Sequence, residues 1–93
     1  MSIKPKRYYV GDLCAGESAL GFLLINRKAN GSDPVIDDKT ARAIVAGAGG
    51  EPNAALGRTN LMEVSEDEFQ LYRGPEMSIP GLPDGLTVCQ VKG

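Results

Sequence analysis

Glycine and proline are gathered in two stretches, and that gathering limits the fold more than any other feature of the chain. Residues 47–57 hold Gly47, Gly49, Gly50, Pro52 and Gly57, and residues 74–85 hold Gly74, Pro75, Pro80, Gly81, Pro83 and Gly85. Neither residue type suits the interior of a helix or strand. The two stretches therefore read as long loops, and regular structure must be built from the segments between them. In total, 12 Gly and 6 Pro in 93 residues exceed the average share of roughly 12%. A chain of this length fits one domain, residues 1–93, with room for a modest core but little for a deep cleft. Hydrophobic residues at 42% and charged residues at 24% are those of a folded chain rather than a disordered one.

The segments outside the loops carry readable patterns. Arg7-Tyr8-Tyr9-Val10 has the aromatic and β-branched character of a strand, with a turn expected between Gly11 and Gly16. Ala19–Lys28 follows as a second strand. Its continuous apolar run, Phe22-Leu23-Leu24-Ile25, predicts burial on both faces, and Asn26-Arg27-Lys28 predicts a return to water. Asn30-Gly31 is a tight-turn signal. Val35-Ile36 reads as a short strand or a hydrophobic lead-in. Asp37 or Asp38 can cap a helix over 38–47, in which Ala41, Ile44, Val45 and Ala48 share one face. The glycines from Gly47 to Gly50 end it, and Asn53–Leu56 can add one helical turn after Pro52. Asn60–Val64 reads as a short strand. Ser65-Glu66-Asp67-Glu68 forms a capping box, flanked by Val64 and Phe69 as a hydrophobic staple, and predicts a helix over 66–73. Its acidic first turn suits the helix dipole, Arg73 suits the far end, and Gly74-Pro75 stops it. Leu86–Val91 alternates as a closing strand, with Leu86 and Val88 on one face and Thr87, Cys89 and Val91 on the other. The predicted architecture is an α+β domain: three to five mainly antiparallel strands with two short helices on one side.

Several function classes are disfavoured by composition. The chain has no histidine, which removes the usual general base and the commonest metal ligand. Cys14 and Cys89 are too far apart in sequence for a C-x-x-C zinc site. No secretory leader is legible, and no apolar run is long enough to span a bilayer, so the expected place is the cytoplasm (the host cytoplasm if the chain is viral) with reduced thiols. The Asn30-Gly31-Ser32 sequon then reads as chance. Residues 1–46 carry a net charge of +2 and residues 47–93 a net charge of −4, which argues against general nucleic-acid binding. Lys4, Lys6 and Arg7 beside Tyr8 and Tyr9 read as a solvated lead into the first strand.

Carboxylates are the only abundant catalytic type. Asp33, Asp37 and Asp38 form one group, and Glu63, Glu66, Asp67 and Glu68 another. Neither has calcium-loop spacing, and helix capping accounts for the second. Cys14, Ser18 and Ser65 lack an activating base. The expectation is a non-enzymatic protein without metal or cofactor.

Binding remains. The leading expectation is a small accessory or inhibitor factor acting through protein–protein contacts or self-association, of the size that viruses of bacteria encode against host machinery. The candidate contacts are Tyr8 and Tyr9, which face opposite ways on a strand so that one is exposed, and Met77, Ile79 and Leu82, displayed on the proline-stiffened loop or folded back over the core as a lid. The alternative is an anionic nucleotide-like ligand held by the glycine-rich segment through Gly47, Gly49, Gly50 and Asn53, with Arg58 or Arg42 as counter-charge. That segment lacks the third glycine of a dinucleotide loop and the Lys-Ser/Thr of a phosphate loop. A third possibility is a structural component of a larger particle.

Overall fold

The computed structural model describes residues 6–27, 34–51, 53–83 and 85–92. Asp33, the Asn30-Gly31 turn and sequon, and Pro52 fall outside them. Five strands and two helices follow in the order β1 (Arg7–Ala15), β2 (Ser18–Asn26), α1 (Asp38–Gly47), β3 (Leu56–Val64), α2 (Glu66–Tyr72), β4 (Arg73–Glu76) and β5 (Leu86–Val91). The strands form one antiparallel sheet ordered β3-β1-β2-β5-β4. This is the expected small α+β fold.

Both helices begin where local chemistry demands. The Asp37 carboxylate accepts from the Thr40 amide at 2.8 Å, and the Ser65 hydroxyl accepts from the Glu68 amide at 3.1 Å, so each cap satisfies an otherwise orphaned donor. Helix α1 buries Thr40, Ala41, Ile44 and Val45. Helix α2 buries Phe69 and ends at Tyr72, one residue before the expected boundary, because Arg73 turns extended and starts β4.

The helices do not share a side of the sheet. One core cluster joins Ala41, Ile44 and Val45 of α1 to Tyr9, Leu13, Phe22, Leu24 and Val88. The other joins Phe69 of α2 to Leu23, Ile25 and Cys89. Side chains alternate along a strand, so these clusters occupy opposite faces. Topology requires it. Strands β2, β3 and β4 run in one direction; the β2–β3 connection steps across β1 one way, and the β3–β4 connection steps back across the sheet the other way. Crossovers keep a single hand, and two steps of one hand in opposite directions must use opposite faces. The Phe22–Ile25 run is apolar throughout because both of its faces are covered.

Several expected loops are strand. β1 continues to Ala15, and the turn falls at Gly16-Glu17, so Gly11 is a strand residue. A Cβ there would lie 2.5 Å from the Phe22 ring and 2.9 Å from Leu61; the missing side chain makes room for a core aromatic. β3 begins at Leu56 rather than Asn60, with one extra residue bulged between Leu56 and Thr59, and Asn53 and Ala54 form a turn and a bend, with the Ala54 amide donating to the Glu51 carbonyl, rather than a helix. The bulge returns Leu56 to the α1 side, where it packs on the core. β4 occupies the start of the second predicted loop, which is therefore shorter than 74–85. Val35 and Ile36 form no strand, and Val35 is exposed. Asn26 is buried, so the return to water starts at Arg27. Both cysteines are free thiols, Cys14 exposed and Cys89 buried.

Candidate interaction surface

The α2 side of the sheet is half covered. Phe69 plugs one end of it, its ring 4.9 Å from that of Tyr8, over Val10, Val64, Leu23 and Ile25. Burial and the neighbouring Glu66 carboxylate, to which its hydroxyl donates, hold the Tyr8 phenol above its ordinary pKa. Beyond Phe69 the sheet lies open. Met62 of β3 is 61% exposed and Val91 of β5 is 45% exposed. Between them lie Asp12 and Asn60, linked by a 3.0 Å hydrogen bond from the Asn60 amide. On α2 itself Leu71 is 71% exposed and Tyr72 46% exposed. The Tyr72 carbonyl accepts from the Lys92 amide at 2.8 Å, which ties the helix end to the end of β5. Four large apolar side chains thus reach water on one side of the sheet.

The residues expected to form the contact surface lie elsewhere. Tyr9 is buried beneath the Arg7 guanidinium, 5.8 Å from its ring centre, and Tyr8 is held against Phe69, so neither is an open aromatic anchor. Met77 is a core residue, and Ile79 and Leu82 pack against the same cluster. The lid arrangement describes them and the displayed loop does not. A cavity of about 410 Å³ lies beneath this loop, bordered by Ile79, Leu82, Leu86 and Thr87.

The glycine-rich segment is the carboxyl end of α1. The Ala48 amide donates to Ile44, the Gly49 amide to Ala46 and the Gly50 amide to Val45. Those donors cap the helix carbonyls, and the negative end of the helix dipole lies there, so this segment is not shaped to hold an anion. Gly47 packs on Ile79, whose Cγ1 would sit 2.9 Å from an added Cβ. Gly49 has φ +82 and open space around it. The Asn53 amide donates to the Glu51 carboxylate at 3.3 Å. Arg58 is exposed on β3, and Arg42 pairs with Asp38 at 3.0 Å. The structure does not bring these residues together around a common centre.

Asp37 and Glu63, one from each acidic group, are held in structural bonds. Asp37 is held below the usual carboxylate range by its hydrogen bond from Thr40. Glu63 is held low by two hydrogen bonds from Arg7, at 2.7 and 3.1 Å. Among the described residues no three His, Cys, Asp or Glu side chains converge to hold a metal ion, and no helix is long and apolar enough to cross a membrane. No family model, curated protein or solved structure matches the chain.

The exposed residues Met62, Leu71, Tyr72 and Val91 were not among those expected from sequence. One signal was available for Leu71. On a helix that buries only Phe69, a residue two positions on lies about 200° round the axis and points away from the sheet.

Proposed function

We propose that this chain is a small non-enzymatic binding protein that acts by contacting another protein. The observation that carries the reading is the exposure of Met62, Leu71, Tyr72 and Val91 on one side of the sheet. Single exposed apolar residues are ordinary, whereas several on one side mark contact surfaces, and tyrosine is enriched at such contacts. The absence of histidine from the sequence and the commitment of Asp37 to a helix cap and of Glu63 to an ion pair support a binding role over catalysis. An accessory or inhibitor factor and a component of a larger particle both use such a surface and differ in stoichiometry. The bonding of the Gly49 and Gly50 amides to helix-end carbonyls weighs against the nucleotide-like ligand reading.

The test is site-specific photo-crosslinking in extract of the source cells. A crosslinker placed at Met62 or Leu71 is expected to give a discrete protein adduct, and one placed at Ser78, on the opposite loop, is expected to give none. Indistinguishable patterns from all three positions would overturn the reading.

A further inference from the structure

We draw no further inference here: the strongest candidate, the outer edge of β3 (Leu56–Val64), with which no strand pairs among the described residues, carries nothing because nothing in the structure shows what covers it.

Discussion

Replacing Phe69 by alanine tests the role assigned to α2. The side chain is fully buried and is the only one the helix buries against the sheet. It lies against Tyr8, Leu23, Ile25 and Cys89 with Val10 and Val64 at the margin, so its removal leaves a cavity walled mainly by rigid strand residues. Phe→Ala changes at such sites cost about 3–5 kcal/mol. The whole chain has about 5–14 kcal/mol at the usual stability per residue, so one substitution removes a large share. Tm is then expected to fall by at least about 12 °C, at about 4 °C or more per kcal/mol for a domain of this size. A helix of seven residues has no stability of its own in water. The amides of residues 69–72 should therefore lose hydrogen-exchange protection along with the global change. Urea unfolding followed by far-UV circular dichroism measures the loss, and Leu71→Ala, at an exposed site two residues away, should stay within about 0.5 kcal/mol of the parent. A loss below about 1 kcal/mol for Phe69→Ala, or equal losses for the two variants, would refute the assignment of Phe69 as the anchor of that face.

Gly11→Ala should cost about 1–3 kcal/mol by urea unfolding, because the added methyl overlaps the Phe22 ring, and Phe22→Leu in the same chain should recover part of it. Asp37 and Glu63 both have carboxyls held low in the fold, so the stability they contribute is present above the unfolded carboxylate range near pH 4 and is lost as pH falls through their lowered values. The urea midpoint of Asp37→Asn with Glu63→Gln should accordingly fall less steeply on acidification than that of the parent; identical slopes would show that other groups govern acid unfolding. A thiol reagent should modify Cys14 rapidly in the native protein and Cys89 only after unfolding. Two fast thiols would contradict the burial of Cys89 against Phe69.

The helices were legible because their signals are local. An aspartate or serine three residues before a bonded amide defines each start, and both starts fall where expected. Much of the remaining sheet was hidden by its glycines. Gly11, Gly57 and Gly74 read as turn punctuation, yet all three stand in strands where a Cβ would come within 3 Å of a neighbour: Phe22, Cys14 and the Gln90 carbonyl, respectively. One residue type serves turns and crowded sheet positions alike, and only the neighbours distinguish them. The side on which each helix lies was hidden for another reason. It follows from strand order and crossover hand, and strand order is a property of long-range pairing. Met77, Ile79 and Leu82 stand among prolines and glycines, which left display and a lid both open from sequence, and the α1 side of β2 and β5 that needed cover is what draws them onto the core.

The sheet order also decides what loss of the final strand would do. β5 stands between β2 and β4, and within the sheet β4 is bonded to β5 alone. Removing residues 86–91 would strand β4 as well, so the sheet would drop from five members to three in a single step. The Met77 amide would lose its acceptor on Val88, and Phe69 would lose the Cys89 wall of its pocket. Loss of β5 should therefore be abrupt in its effect, with collapse of both faces together.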